Sequence, residues 1–304
     1  MKIHHVLSRT AEAPLALAIG FFDGMHRGHQ DIARRTLALR KPGWRAGVLT
    51  FANHPAAHLR PGTEPALICS TAERVDLFAR YGYDECFLVP FDEHIAHIEA
   101  EDFVRSVLVR ALGARGVVVG KTFAFGHRRL GDVAMLGEWL SQAGISFVPV
   151  EQMTDGGERI SSTRIRAAIA SGDCAEADRL LGHAYEIRGI VELGFGRGHD
   201  LGFPTANVAV PDKLLPRDGV YAATARYDGR DYSALVSIGT NPTFDGRTRT
   251  VEAWLRDFHK TIYGEDLGLR DLRFVRDQRT FESTAQLLEQ MQADKSAVGY
   301  PAFG

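Results

Sequence analysis

Cysteine is scarce in this chain. Three occur among 304 residues, Cys69, Cys86 and Cys174, odd in number and far apart. Such spacing suggests neither a disulfide framework nor a zinc site. A charge of one sign is lacking as well, because 36 basic residues face 38 acidic ones and the formal net charge is -2. So even a balance gives no whole-chain case for a nucleic-acid partner, and no continuous basic-aromatic surface is visible. Long apolar runs are missing too. The stretch from Leu15 to Phe22 is too short to cross a bilayer and leads directly into a turn, so neither a secretion segment nor a membrane span is expected and cytoplasmic residence is the default. A Walker P-loop, Gly-x-x-x-x-Gly-Lys-Ser/Thr, is absent from the glycine-rich turn at residues 20–28, and the glycines there fit a dinucleotide fingerprint poorly.

What is present is enough apolar material, 45% of the chain, to bury two cores. The first half repeats short apolar strands with intervening helices, which argues for an open α/β sheet with its ligand crevice beyond the strands' carboxyl ends. Strands are expected at Leu15–Ile19, where Leu15, Leu17 and Ile19 alternate, at Ala46–Phe51, Cys86–Pro90, Gly116–Gly120 and Ile145–Val150. Helices are expected at Asp31–Arg40, after the capping box Ser70-Thr71-Ala72-Glu73, at Glu101–Leu112 and at Val133–Ala143. From Tyr185 onward, short strand candidates divided by glycine and proline favour a compact β-barrel, closed by a helix over Phe281–Asp294 with an apolar stripe of Leu287, Leu288 and Met291. A short linker at 183–185 then divides a domain over 1–183 from one over 184–304.

Five stretches carry chemistry. Residues 19–31 join a strand to a helix through Gly20, Gly24 and Gly28, with Phe22, Asp23, His26 and His29 between them. Tight turns of this kind aim the unpaired N–H groups of a helix N-terminus at an anion, although two histidines at this spacing also suit a metal or a helix cap. Asn53 and His54, before Pro55, stand where a strand ends and can face a ligand or simply form a turn. In the stretch Lys121–Asp132, Phe123 and Phe125 could sandwich a planar ring while Lys121, Arg128 and Arg129 oppose phosphate; equally, the rings fill a loop core and the charges face water. Ser161, Ser162, Thr163 and Arg166 read as a helix cap or as phosphate ligands. Residues 194–207, with Gly194, Gly196 and Gly198 followed by Thr205 and Asn207, read as turns or as a phosphate loop with magnesium ligands.

Phe22-Asp23-Gly24-Met25-His26-Arg27-Gly28-His29 resembles the histidine-glycine-histidine motif of the nucleotidyltransferase superfamily, in the form found in bacterial bifunctional riboflavin kinase/FAD synthetases. Ser-Ser-Thr-x-Ile-Arg at 161–166 is similar to that family's second nucleotide-binding motif, and the phenylalanine pair before Gly126 to its flavin loop. The Pro-Thr-Ala-Asn run at 204–207, Asn241 and Thr243 after Ile238-Gly239-Thr240, and Glu252 resemble the riboflavin kinase signature. This resemblance implies an α/β nucleotidyltransferase-type parallel sheet followed by an antiparallel riboflavin kinase barrel. It also implies two ATP-dependent steps, riboflavin to FMN and FMN to FAD with loss of pyrophosphate.

His26, His29, Ser162 and Arg166 are then expected to carry adenylyl transfer, with Asp23 on magnesium or a ribose. Glu252 is the expected general base for the riboflavin 5′-hydroxyl, with Mg2+ on Thr205 and Asn207. ATP, riboflavin and FMN are the implied partners; no nucleic acid and no membrane are expected, and weak self-association stays open. Thr122, His199 and Thr261 depart from the family's usual residues, which keeps in view a chain with one working site, or a flavin- and nucleotide-binding regulator that catalyses little.

Overall fold

The computed structural model describes residues 1–8, 13–194, 204–240, 249–281 and 283–296. It resolves into two compact units, Met1–Ser162 and Thr163–Gly304.

In the first unit six strands form one parallel sheet: β1 (Lys2–His4), β2 (Leu15–Ile19), β3 (Arg45–Phe51), β4 (Glu85–Val89), β5 (Ala114–Gly120) and β6 (Ser146–Val150), in the order β1-β4-β3-β2-β5-β6. Helix α1 (Arg27–Ala38) connects β2 to β3. From β2 the chain winds toward β3 and β4 on one side, and from β5 toward β6 on the other. Neighbouring strands whose exits diverge leave a crevice at their carboxyl ends. Two of the chemistry-bearing stretches, residues 20–29 after β2 and 121–132 after β5, leave the sheet at that crevice.

The sheet is covered on both faces. Leu15, Leu17 and Ile19 enter one apolar cluster and Ala18 the other, so the alternation expected of β2 is present and both of its faces are buried. Helix α1 begins at Arg27, four residues before the expected start, because His26 itself serves as its N-cap. The short helix α2 (Pro55–Leu59) follows β3, and α3 (Thr71–Arg80) opens on the expected capping box, with both reciprocal bonds formed. After α4 (Glu93–Ala96), the helix expected over Glu101–Leu112 is one α-turn, α5 (Ala100–Asp102), running on as a π-helix over Phe103–Ala111. Helix α6 is Val133–Gln142, and a hairpin, β7 (Thr154–Asp155) with β8 (Glu158–Arg159), precedes α7 (Ser162–Ser171) and α8 (Cys174–Leu181). Gly182, at φ 75, ends α8 in the left-handed conformation.

The second unit contains a closed antiparallel barrel of β9 (Ile187–Glu192), β10 (Ala206–Ala209), β11 (Gly219–Tyr227), β12 (Arg230–Thr240), β13 (Arg249–Leu255) and β14 (Asp266–Arg276). Around the barrel the order is β10-β13-β12-β11-β14-β9, closed by pairing of β9 with β10. Val251, Ala253 and Leu255 of β13 are buried and alternate with half-buried Glu252 and Trp254, which places the latter two on the outer face. The last helix, α9 (Thr284–Ser296), is tied to β14 by the nearly buried pair Arg276–Asp294, at 2.7 Å.

Candidate active sites

Beyond β2 the backbone turns through a 3-10 segment, Asp23–Met25, flanked by left-handed conformations at Phe22 (φ 57) and within it at Gly24 (φ 73). Left-handed backbone at a bulky residue such as Phe22 is costly and persists only where packing enforces it. Here the Phe22 ring is buried, meets His29 edge-on at 5.2 Å and covers Gly20, whose absent Cβ would lie 2.9 Å from the ring. Asp23 is buried, and its carboxylate accepts from the backbone N–H of Ile68 at 3.0 Å and of Cys69 at 3.2 Å. The Gly24 N–H points at the Cys69 sulfur, 3.2 Å away. The turn is thus bolted to the segment that leads into α3.

His26 Nδ1 accepts from the His29 N–H at 3.4 Å, and the two imidazoles stack with centroids 3.5 Å apart. Gly28 allows that stack, since a Cβ there would press within 3.3 Å of the His26 ring. His29 is the exposed question of this arrangement: its Nδ1 is shielded from solvent and has no hydrogen-bond partner. Burial above all, then His26 and the Arg159 guanidinium, hold its pKa well below the ordinary histidine value. A neutral imidazole with an unused nitrogen at the N-terminus of α1 suits an incoming phosphate. Ser162, first residue of α7, lies with its hydroxyl 3.5 Å from the Asp23 carbonyl, which brings the second motif to the turn. Ser161 stands at the N-cap position of α7, Thr163 is exposed in its first turn, and Arg166 is half-buried.

Across the crevice, Phe123 and Phe125 stack on each other at 5.5 Å, with planes 12° apart. Phe125 is also packed against Phe103 at 5.5 Å and lies over Gly131. Gly126, at φ 74, is seated on Ala100, where any Cβ would fall 2.6 Å from the helix backbone. Arg128 follows in a left-handed conformation, φ 53, with its side chain exposed.

In the barrel, Asn207 of β10 is the register partner of Glu252 on β13, and Glu252 that of Ser237 on β12. Directly opposed residues on antiparallel strands project from the same face, so Asn207, Glu252 and Ser237 form one outward row. Thr205, two residues before Asn207, is half-buried at the entrance to β10. Gly194 lies under that row. A Cβ at this position would stand 1.8 Å from Asn207 Nδ2.

A family model described as FAD synthetase matches residues 8–164, and one described as riboflavin kinase matches residues 181–299. Similar curated proteins are the bifunctional riboflavin kinase/FMN adenylyltransferases of Listeria monocytogenes, 32% identical with 96% of this chain and 95% of that protein covered, and of Bacillus subtilis, 32% identical with 96% and 93% covered. The Escherichia coli protein of the same name is 32% identical, with 96% and 94% covered. The chain belongs to the bifunctional riboflavin kinase/FMN adenylyltransferase family. Its enzymatic function is therefore phosphorylation of riboflavin and adenylylation of FMN, with ATP, riboflavin and FMN as substrates and FAD as product. A solved structure described as a macrolide-efflux protein from Streptococcus pneumoniae is also similar, at TM-score 0.87 and 31% identity over the whole of both chains. Among the described residues of this family member no helix is long and apolar enough to cross a membrane.

Several residues of the chain stand differently from expectation. The Asp23 carboxylate accepts from the backbone N–H groups of Ile68 and Cys69, contacts that its place in the motif did not announce. Gly20 and Gly28 make room for the protein's own rings, those of Phe22 and His26. Asn53 spends its amide on Phe91, donating to its carbonyl at 3.0 Å and accepting from its N–H at 2.8 Å, while His54 caps α2 through the Ala56 N–H at 3.1 Å. Rings already in contact leave no gap between Phe123 and Phe125, so the sandwich is ruled out and Phe125 belongs to the core. Ala206 and Asn207 of the Pro-Thr-Ala-Asn segment, expected as loop, open strand β10. Gly196, Gly198, His199, Asn241 and Thr243 lie outside the described residues. Sequence reasoning missed Arg159, whose charge acts on His29, and Ser237, cross-strand from Glu252. Arg159 sits just before the second motif and had that adjacency as its signal; Ser237 had none.

Proposed function

We propose that the two reactions are divided along the chain, adenylylation of FMN over 1–183 and phosphorylation of riboflavin over 184–304, with His26, His29, Ser162 and Arg166 serving the first and Glu252, Thr205 and Asn207 the second. The unpartnered His29 nitrogen beside the α1 N-terminus is the observation that carries the first assignment. The phosphate of FMN attacks the α phosphorus of ATP and pyrophosphate departs. Little covalent participation is needed. Backbone N–H groups of the turn and the first residues of α1 hold the phosphates, a proton or hydrogen bond at His29 meets the bridging oxygens, and Arg166 offsets charge on the leaving group.

For riboflavin the Asn207–Glu252 pair supports the assignment. Glu252 accepts the proton of the 5′-hydroxyl as that oxygen bonds to the γ phosphorus of ATP, the bond to the β–γ bridging oxygen breaks and ADP departs. Thr205 and Asn207 offer oxygen donors only, a set that fits a hard cation such as Mg2+, which binds through few protein groups and completes its shell with water and phosphate. Among the described residues no cluster of three or more His, Cys, Asp or Glu suits a metal, so that fit rests on the hydroxyl and the amide. Thr205 and Asn207 would hold such an ion, whose charge would offset that of the phosphates. Arg128 and the outer face of Phe123 remain our candidates for flavin contact, and Gly194 for shaping the nucleotide loop.

The test is incubation of the full chain with riboflavin, ATP and magnesium, followed by chromatographic separation of both flavin nucleotides. Accumulation of both FMN and FAD is expected, with FAD alone lost in His29→Ala and both lost on chelation of the metal. Equal loss of the two products in a folded His29→Ala protein contradicts the division.

A further inference from the structure

A buried cation lies at the base of the first site with no acid against it. Arg74 of α3 is 1% exposed, and among the described residues no carboxylate lies within ion-pair distance of it. Its Nη1 donates to the Phe21 carbonyl at 3.0 Å and its Nη2 to the Phe51 carbonyl at 2.6 Å, while Nε is shielded and has no partner. The guanidinium carbon sits 4.1 Å from the centre of the Phe21 ring, whose other neighbour is His54, edge-on at 4.7 Å. Phe51 ends β3, and Phe21 opens the turn after β2, so one side chain clasps the carboxyl ends of the two strands beside the crevice.

Two buried acids among the described residues are compensated in contact. Glu85 has His4 at 3.0 Å and Arg45 at 3.3 Å, and Asp294 has Arg276. Asp23 is the acid whose field reaches Arg74, yet its oxygens take the N–H groups of Ile68 and Cys69. Guanidinium resists deprotonation even when desolvated, so its charge remains in place. A buried charge without a contact counterion costs free energy, and the cost is recovered where an anion arrives close by in a low-dielectric site.

We propose that Arg74 is a positioning residue for adenylyl transfer: by clasping the Phe21 and Phe51 carbonyls it fixes the entrance to the histidine turn, and its charge makes that turn a stronger seat for the triphosphate of ATP. The inference rests on the assignment of FMN adenylylation to residues 1–183. Held potential of this kind stabilises bound phosphates before and during transfer alike, so its loss is read mainly in KM for ATP.

The experiment compares Arg74→Met, which removes charge and donors, with Arg74→Lys, which keeps the charge and gives up the fork, in the full chain. Arg74→Met is expected to raise KM for ATP in FMN adenylylation about tenfold, the scale of one lost charge-assisted bond, with kcat little changed. Riboflavin phosphorylation stays within about twofold of normal, because that reaction is assigned to residues 184–304. Arg74→Lys recovers most of the KM. A normal KM in Arg74→Met, or a lysine variant no better than methionine, overturns the proposal and leaves Arg74 a tie between strands. Should the methionine variant not fold, Arg74→Gln takes its place as the uncharged donor, with the same rise expected. His29→Ala, run alongside, separates the two ideas. If it leaves FAD formation intact, the site assignment fails; if it abolishes FAD formation while Arg74→Met behaves normally, the Arg74 inference alone falls.

Discussion

Gly194→Ala makes a demanding test of the barrel site, because the structure fixes what the added methyl group meets. An ideal Cβ at Gly194 falls 1.8 Å from Asn207 Nδ2 and 2.5 Å from its Cγ, while ordinary contact begins near 3.4 Å, so the amide must retreat by about 1.6 Å. No left-handed φ is required of Gly194, so alanine can adopt the backbone itself. The atoms in the way are the far end of one side chain. Folding should therefore change by no more than about 1 kcal/mol, the usual range for a site where only a side chain turns aside. Activity is another matter. Displacement of a positioning group by 1 Å or more costs about 100-fold in a reaction that depends on alignment, so kcat/KM for riboflavin phosphorylation should fall by roughly that factor. Measured in the same preparation, FMN adenylylation should be untouched.

A double-mutant cycle sharpens the test. If alanine at Gly194 acts only by moving the Asn207 amide, it should have almost no further effect in an Asn207→Ala background, a coupling of about 2.7 kcal/mol when a 100-fold effect disappears. Normal phosphorylation by Gly194→Ala, or full additivity with Asn207→Ala, would refute the reasoning.

Other consequences can be checked with the same two assays. Glu252→Gln should depress riboflavin phosphorylation by about 100-fold or more while FMN adenylylation continues, and normal phosphorylation removes Glu252 from the base role. The depressed pKa of His29 leaves its ring neutral in the free protein at pH 7, and phosphate brings charge that raises it; titration with ATP in two buffers of different ionisation heat should reveal proton uptake below about pH 6.5, absent in His29→Ala. The same depression sets a stability trend. The unfolded chain binds that proton first, so the contribution of neutral His29 is complete above about pH 6.5 and declines as pH falls toward the folded value, and thermal melting should drop less with acidification in His29→Asn than in the parent. Asp294→Ala leaves Arg276 buried without its acid and should cost about 3 kcal/mol, seen as a lowered melting temperature; a change below about 0.5 kcal/mol shows the pair to be dispensable.

The sheet was legible because burial on both faces writes itself as short apolar runs, and the runs at β3, β4, β5 and β6 lie within a residue or two of their expected bounds. Capping chemistry was legible where it is conventional, as at Ser70, and a cap was one of the open readings of the His26–His29 pair, whereas the cap formed by His54 had no signal. The resemblance supplied the residue roles, but it could not tell which members of each motif face outward. Asp23 is an acid in a nucleotide motif and yet holds backbone; Phe125 is an aromatic in a flavin loop and yet fills the core. Those outcomes depend on contacts outside the motif, Asp23 with Ile68 and Phe125 with Phe103, to which local pattern is blind. Strand β10 was missed for a related reason: only four residues long and following a proline, it gains its ladder from β9 and β13 and not from its own propensity.

Helix α7 bears on how this enzyme can be dissected. Its first residue, Ser162, closes the first compact unit, and its remainder, with Thr163 and Arg166, is counted with the second. A fragment trimmed at that seam would carry the histidines and forfeit the arginine, severing one nucleotide motif between two polypeptides. On the proposed assignment of adenylylation to residues 1–183, a fragment for that reaction would end past the glycine that stops α8 and would take with it α7 and α8, which are counted almost wholly with the second unit.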